Sequence, residues 1–150
     1  MNEAATFPMR EFRTRRRIEF ADTDMGGIVH FSRFFVFMET AEHEFLRALG
    51  AEVHMTFEGR DIGWPRVEAS CQYLSPARLA EVLEIHVRVV RKGSKSMTYG
   101  FTFSADGRII ARGRMSSVCC LMHESTGLEA IPIPDFIANR FATAPDSSTD

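Results

Sequence analysis

The chain has 150 residues, 45% of them hydrophobic and 25% charged, a composition typical of one globular domain with a sizeable core. Its 18 basic and 20 acidic residues leave a net charge of −2, which gives no electrostatic reason to bind nucleic acid or an anionic membrane. We therefore expect a single domain over residues 1–150, with an ordered core at about 10–141 and loose termini.

The cysteines and the apolar runs indicate the cellular compartment of the protein. The three cysteines, at positions 71, 119 and 120, are an odd number, and the adjacent pair suits neither a disulfide nor the spaced ligands of a zinc site. No N-terminal segment resembles a signal peptide, and no apolar run approaches the roughly 20 residues of a membrane span. These features predict a cytoplasmic protein with no metal site and no membrane insertion.

The first predicted element is a strand over residues 12–20. Charged residues occupy its odd positions, while Phe12, Ile18 and Phe20 mark the opposite face. The strand runs into the segment Ala21-Asp22-Thr23-Asp24-Met25-Gly26-Gly27, in which acid and glycine precede an apolar stretch. This junction between a strand and a helix is the first candidate for a functional site.

A long helix is predicted to begin near Phe31. Ser32 can cap its start and Gly50 can end it. Because other apolar residues lie beside the main stripe, we expect its first half to be buried nearly all round. The stripe has helical spacing, with apolar residues at positions 31, 34, 35, 38, 41, 45, 48 and 49.

The rest of the chain alternates with a period of two and predicts strands linked by tight turns. Strands are expected over residues 67–73, 83–90, 97–103 and 108–122, and a short helix after Pro134. The turns are expected at residues 91–95 and at Asp106-Gly107. One long helix followed by an antiparallel meander predicts an α+β fold in which the helix crosses one face of the sheet.

Asp24 is the residue on which the chemical interpretation depends. A carboxylate beside the first turn of a helix faces unpaired N–H groups, so an acid or base and an oxyanion binder can share one cavity, which suits acyl chemistry. Asp24 could instead only cap the helix or shape a turn. A calcium loop beginning at Asp22 is excluded, because its fifth and twelfth positions are Gly26 and Arg33.

The segment Glu19-Phe20-Ala21-Asp22-Thr23-Asp24-Met25-Gly26-Gly27-Ile28-Val29, followed by a long apolar helix and a meander, resembles the hotdog-fold acyl-CoA thioesterases. It is most similar to the 4-hydroxybenzoyl-CoA thioesterase family, which includes a short-chain branch associated with the Tol-Pal system. The resemblance covers about residues 12–140. It implies an antiparallel sheet wrapped around a central helix, and hydrolysis of a small aromatic or short-chain acyl-CoA. It also implies a homodimer or homotetramer, and no cofactor beyond the coenzyme A of the substrate.

Carried over to this chain, the resemblance makes Asp24 the catalytic carboxylate, as nucleophile or as general base. The backbone N–H of Phe31 would polarise the thioester carbonyl. His30 could orient substrate or water, or could only form the pocket wall or the helix entry. The order His30-Phe31 departs from the tyrosine and then histidine that the short-chain branch commonly has, so the resemblance does not assign a role to His30 by position.

Further residues are candidates for substrate binding. Gly26 and Gly27 would let the backbone approach a thioester closely, although an ordinary turn would also use them. Phe34 and Trp64 could line an acyl pocket or simply pack in the core. Glu39 could lie near the acyl group or on a solvated helix face. The turn residues Arg91, Lys92, Ser94 and Lys95 could hold coenzyme A phosphates or form a plain solvated turn.

Two other functions remain open from the sequence. One is a non-catalytic module that binds acyl-CoA or acyl-carrier protein, against which the position of Asp24 argues. The other is a hotdog hydratase or dehydratase, which would be expected to carry a different histidine and acid motif on the helix.

Overall fold

The computed structural model describes residues 7–51, 54–125 and 127–145. Within these residues the chain forms two helices, α1 (Arg33–Ala48) and α2 (Asp135–Ala138), and nine strands. The strands are β1 (Glu11–Arg17), β2 (Met55–Phe57), β3 (Arg60–Gly63), β4 (Arg66–Tyr73), β5 (Val82–Lys92), β6 (Ser96–Ala105), β7 (Arg108–Val118), β8 (Cys120–His123) and β9 (Gly127–Ala130).

The strands form two antiparallel sheets. Five strands pair in the order β1-β5-β6-β7-β4, and four shorter ones pair in the order β2-β3-β8-β9. Helix α1 packs on one face of the five-stranded sheet, where Phe34 and Phe37 of the helix join Phe101 and Phe103 of β6 in one buried cluster. The predicted α+β class and the long helix against an antiparallel sheet are confirmed.

Close contact between helix and sheet depends on one glycine. Gly113 of β7 faces α1, and a Cβ at this position would overlap the buried side chain of Met38. Because interiors are packed at the density of organic crystals, the missing side chain is what lets the helix lie this near the sheet.

Helix α1 is fixed at its C-terminal end. Gly50 has a φ of 74°, its N–H donates to the Arg47 carbonyl, and the N–H of Ala51 donates to the Leu46 carbonyl. These two bonds form a Schellman motif, as expected where glycine follows a helix. The guanidinium of Arg140 also donates to the Leu49 carbonyl at 2.5 Å, which ties the helix to the C-terminal segment.

Two predicted strands differ from the structure. The strand expected over residues 12–20 ends at Arg17, and Phe20–Asp22 form a 3₁₀ turn that leaves Phe20 81% exposed. The strand expected over residues 108–122 is divided between β7 and β8. Cys119 leaves the ladder between them, because its N–H donates to the Lys95 carbonyl at 2.7 Å.

The prediction of loose termini falls partly on residues 1–6 and 146–150, which lie outside the described residues. Within the described part, the C-terminal segment is held on the sheet. The N–H of Ala142 donates to the Met9 carbonyl, the N–H of Ala144 donates to the Val89 carbonyl, and Ala144 is buried. Residues 142–144 are therefore not loose.

The first half of α1 is less buried than expected. Val36 is 40% exposed and Glu39 is exposed, so the helix keeps one solvent-facing side along its whole length.

Among the described residues, no helix is long and apolar enough to cross a membrane.

Candidate functional site

A cavity of about 500 Å³ lies between the start of α1, the loop before it, and the segment that follows β4. Asp24 and Phe31 both line it, at the junction that the sequence indicated. Apolar side chains form most of the remaining wall. The lining residues are Asp24, Ile28, Val29, Phe31, Phe34, Tyr73, Leu74, Ser75, Pro76 and Ala77.

A tight turn positions Asp24. Its N–H donates to the Ile28 carbonyl at 2.9 Å, and its carbonyl accepts from the N–H of Gly27 at 3.0 Å. Gly27 has a φ of 76°, the left-handed region that glycine adopts without strain. The N–H of Gly26 donates to Oδ1 of Asp24 at 2.8 Å. Asp24 is exposed, and its other oxygen, Oδ2, accepts no hydrogen bond from a described residue.

The loop is joined to the opposite wall of the cavity. The N–H of Val29 donates to the Ala77 carbonyl at 2.8 Å, and Ile28 forms an isolated bridge with Arg78. The segment after β4 is itself held to the sheet, since Leu74 and Ser75 both donate to the Ile110 carbonyl. Both sides of the cavity are therefore fixed by backbone hydrogen bonds.

Phe31 lies just before α1, and the residue is 63% exposed. Across residues 7–51, 54–125 and 127–145, no acceptor is found for its N–H, while the neighbouring N–H groups of His30 and Ser32 both have acceptors. The Phe31 carbonyl accepts a hydrogen bond of 2.9 Å from the hydroxyl of Tyr73. An N–H without a partner at a helix start is a donor available to an anion.

His30 holds the helix start. Its Nδ1 lies 2.8 Å from the Ser32 hydroxyl and accepts from the Ser32 N–H at 3.2 Å. Nδ1 is thus an acceptor, and its ring stacks on Phe31 with centroids 4.6 Å apart. Ser32 was predicted as a side-chain cap; it occupies the cap position but makes no cap hydrogen bond, because its hydroxyl is turned to His30. His30 does not line the cavity.

Asp22 is buried beneath the loop. The Nε and Nη2 of Arg33 donate to its Oδ1 at 2.9 and 2.7 Å, and the Glu19 N–H donates to its Oδ2 at 2.9 Å. Burial disfavours the charged carboxyl, but the Glu19 N–H, Arg33 and Arg16 outweigh this effect and hold its pKa below the ordinary value. Asp22 therefore supports the turn, and its carbonyl also accepts from the N–H of His30.

The structure brings some of the predicted substrate residues to the cavity and leaves others elsewhere. Phe34 lines the cavity and is 4% exposed, and Gly26 holds the Asp24 carboxylate. Glu39 lies exposed on the outer side of α1, and Trp64 lies half-buried between β3 and β4. Neither of these two residues lines the cavity with Asp24.

The four residues predicted to hold coenzyme A phosphates lie at the β5–β6 turn, away from the Asp24 cavity of the same chain. Arg91, Ser94 and Lys95 are exposed. Lys92 is also exposed, but its ammonium donates to the carbonyls of Ala138 and Phe141 at 3.0 and 3.1 Å. Lys92 is therefore already engaged with the C-terminal segment.

Sequence reasoning missed two groups. One is Tyr73, which reaches the Phe31 carbonyl across 42 positions of sequence. The other is Glu42, a buried acid on α1 whose carboxylate lies 3.0 Å from Arg66 and whose Oε2 has no hydrogen-bond partner among the described residues. Glu42 follows Met38 by one helical turn and therefore lies on the apolar stripe of α1. This spacing is the sequence pattern from which its burial could have been predicted.

Within the described part of the chain, no three His, Cys, Asp or Glu side chains are grouped so that they could hold a metal ion. The cavity offers a carboxylate, an unpaired N–H and an apolar wall. Such a site can polarise a carbonyl and activate a nucleophile beside it.

Comparison with known proteins gives consistent matches. The model of the thioesterase-like superfamily matches residues 18–141. A 1,4-dihydroxy-2-naphthoyl-CoA hydrolase from Thermosynechococcus vestitus is 24% identical over 144 residues, covering 95% of each chain. The structure of a gentisyl-coenzyme A thioesterase has a TM-score of 0.76 at 30% identity, covering 87% of this chain and 100% of that one. A 4-hydroxybenzoyl-CoA thioesterase structure from a Pseudomonas strain shares the fold, with a TM-score of 0.74 at 22% identity over 86% of this chain and 98% of that one.

Proposed function

Because the chain belongs to the thioesterase-like superfamily, we propose that it hydrolyses an acyl-CoA thioester to the free acid and coenzyme A, with a small aromatic or short-chain acyl group. The observation that carries this proposal is the shared cavity of Asp24 and Phe31. The relatives named above act on aromatic acyl-CoA substrates, as their names state. The apolar wall of this cavity suits an acyl group of that kind.

Asp24 and the Phe31 N–H have complementary roles in this proposal. The thioester carbonyl oxygen accepts from the Phe31 N–H, which stabilises the negative charge that develops on that oxygen. As a general base, Asp24 takes a proton from water, and the hydroxide adds to the carbonyl carbon. The intermediate then collapses, the carbon–sulfur bond breaks, and the coenzyme A thiolate leaves and is protonated.

Asp24 can also act as the nucleophile. Its carboxylate then adds to the carbonyl carbon and expels the thiolate, and water hydrolyses the resulting anhydride to restore the carboxylate. Its unpartnered Oδ2 is compatible with either route. Both routes need only water as the second reactant, so we propose that no metal or redox cofactor takes part. Gly26 supports the reaction in both by orienting the carboxylate.

The exposed edge of the five-stranded sheet, beside the Asp24 cavity, supports association of subunits. Strand β4 is an edge strand of the five-stranded sheet, and Val67 and Tyr73 on it are 64% and 46% exposed. An unpaired edge is a template for pairing with another chain. We propose a homodimer or homotetramer in which a second subunit covers this edge.

Subunit association also bears on coenzyme A. Because the β5–β6 turn is remote from the Asp24 cavity of its own chain, Arg91, Ser94 and Lys95 would bind the phosphates of a substrate held mainly by a partner. Lys92 would have to exchange its carbonyl contacts for phosphate.

Three free cysteines suit the reducing cytoplasm that we propose as the location.

Thiol release from benzoyl-, phenylacetyl-, short-chain and long-chain acyl-CoAs tests the proposal with wild type and Asp24→Asn. We expect kcat to fall on the order of a hundredfold or more in Asp24→Asn, with substrate binding retained. Asp61→Asn is the matched control, because Asp61 is an exposed carboxylate on β3 of the four-stranded sheet and does not line the Asp24 cavity. Undiminished turnover in Asp24→Asn would remove Asp24 from the mechanism. Binding without turnover in wild type would favour the non-catalytic module instead.

A further inference from the structure

The outer face of the five-stranded sheet, opposite α1, carries many arginines that the proposed reaction does not use. The alternation of side chains along each strand puts them on this face. They come from three strands: Arg13, Arg15 and Arg17 from β1, Arg88 from β5, and Arg112 and Arg114 from β7.

A glycine opens a space among three of these arginines. Gly100 of β6 pairs with Arg88 on one side and with Arg114 on the other. A Cβ at Gly100 would lie 3.3 Å from Nη2 of Arg88 and 3.1 Å from Cγ1 of Val90, so the Arg88 guanidinium lies over the place where a side chain would be.

The result is a cavity of about 350 Å³ on the outer face. We call it the arginine cavity. Its charged and polar lining consists of Arg88, Arg112, Arg114, Ser70 and Gln72. Tyr73 lines the Asp24 cavity and the adjacent Gln72 lines the arginine cavity, so the two cavities lie on opposite faces of the same edge strand.

Two nearby carboxylates on this face are already paired. Glu11, opposite Arg88 in register, accepts from Nε2 of His86 at 3.0 Å. Glu84 pairs with Arg15 at 3.1 Å. Neither carboxylate lines the arginine cavity.

No Asp or Glu among the described residues lines the arginine cavity. Among the described residues, neither Arg88 nor Arg112 has an ion-pair partner, and Nε of Arg88 is buried without a hydrogen-bond partner. Glu68 of β4 pairs in register with Ser116 and does not line the cavity. The positive charges of Arg88 and Arg112 repel each other, and an anion bound between them would offset that repulsion.

We propose that the arginine cavity is a binding site for a phosphate-bearing small molecule. The planar guanidinium fork matches phosphate oxygens in a bidentate way, which makes paired arginines a recognition element for phosphate. The hydroxyl of Ser70 and the amide of Gln72 add neutral hydrogen-bonding groups at the β4 side. The ligand is either a separate phosphorylated metabolite or the phosphate portion of a coenzyme A molecule.

Calorimetric titration with pyrophosphate at constant ionic strength tests the site. We expect wild type to bind one pyrophosphate per chain, and Arg88→Ala and Arg112→Ala each to weaken binding about tenfold or more. Arg17→Ala is the matched control, because it removes the same charge from β1 on the same face but outside the cavity. This control is expected to change affinity less than about twofold.

A second variant changes the shape of the cavity without changing its charge. Gly100→Val places a side chain where Arg88 now lies and is expected to weaken pyrophosphate binding as much as Arg88→Ala does. Thermal unfolding of each variant shows whether the fold is kept. The proposal is overturned if wild type does not bind pyrophosphate, or if Arg17→Ala weakens binding as much as the cavity variants. Displacement of bound pyrophosphate by free coenzyme A would identify coenzyme A as the source of the phosphate; a lack of displacement would indicate a separate ligand.

Discussion

The hydroxyl of Tyr73, at the end of edge strand β4, donates a 2.9 Å hydrogen bond to the carbonyl of Phe31 at the start of α1. The N–H that we propose as oxyanion donor belongs to the peptide between His30 and Phe31, whereas the carbonyl that accepts from Tyr73 belongs to the next peptide, between Phe31 and Ser32. Holding the second peptide in place constrains the orientation of the first. Tyr73 also packs edge to face on Phe34, with centroids 5.5 Å apart. We infer that Tyr73 is a positioning residue for the Phe31 N–H.

Tyr73→Phe tests this role. The phenylalanine keeps the ring contact with Phe34 and loses the hydroxyl, which contacts the Phe31 carbonyl and the Cys71 thiol. We expect kcat for acyl-CoA hydrolysis to fall about three- to tenfold with KM nearly unchanged. Steady-state kinetics separates the two constants. Tyr99→Phe is the matched control, since Tyr99 is the other tyrosine of the chain and lies buried in the core. An unchanged kcat in Tyr73→Phe, or an equal loss in Tyr99→Phe, would contradict the assignment.

His30 gives a second prediction, because the structure makes it a support for the helix start. Asparagine can place an oxygen near the position of Nδ1 and so can accept from the Ser32 N–H. We therefore expect His30→Asn to keep kcat within about threefold of wild type, and His30→Ala to lose more. A loss of about a hundredfold in both variants would indicate that the imidazole takes part in the chemistry.

Glu42 gives a prediction about pH. Burial raises its pKa to about 7 from the ordinary 4.5, against the opposing effect of Arg66 at 3.0 Å. The folded state therefore binds a proton more tightly than the unfolded state does. Stability from this group is fully present below about pH 4.5 and is lost as the pH rises to about 7. The loss in the free energy of unfolding is up to about 3 kcal/mol.

The measurement is urea unfolding of wild type and Glu42→Gln between pH 5 and pH 8, about the range in which this group titrates. The neutral amide cannot titrate, so the stability of wild type relative to Glu42→Gln is expected to fall as the pH rises. Taking this difference cancels the titration of His43, also on α1. Glu124→Gln is the control, because Glu124 is an exposed glutamate outside α1 and its charge does not contribute to the pKa of Glu42. A difference that does not change with pH would contradict the pKa of Glu42.

Local sequence signals predicted the turn at Asp24 and the long helix that follows it. The turn at Asp24 and the start of α1 depend on neighbouring residues, and glycine after Asp24 and at position 50 supplied the required backbone conformations. Tyr73 could not be predicted in this way, because its contact with Phe31 exists only once β4 and α1 are packed together. Its exposure on an edge strand gave no sign of that contact.

Glu39 and Glu42 of α1 show that the burial of individual polar residues was harder to predict than the helix itself. They are three positions apart on α1, yet Glu39 is exposed and Glu42 is 2% exposed. Their hydrophobic neighbours distinguish them: Glu42 shares a face with Met38 and Phe45, which are both fully buried. The division of the long strand at Cys119 was not predictable from alternation, since a contact with the distant Lys95 carbonyl causes it.

Helix α1 is anchored at both ends: Arg33 binds the buried Asp22 at one, and the Gly50 motif with Arg140 closes the other. The Phe31 peptide lies two residues before this anchored helix, between the hydrogen-bonded N–H groups of His30 and Ser32, so we expect it not to unfold separately from the domain. On heating, we expect catalytic activity to persist until the whole domain unfolds cooperatively. Inactivation and loss of circular dichroism should then follow the same temperature curve.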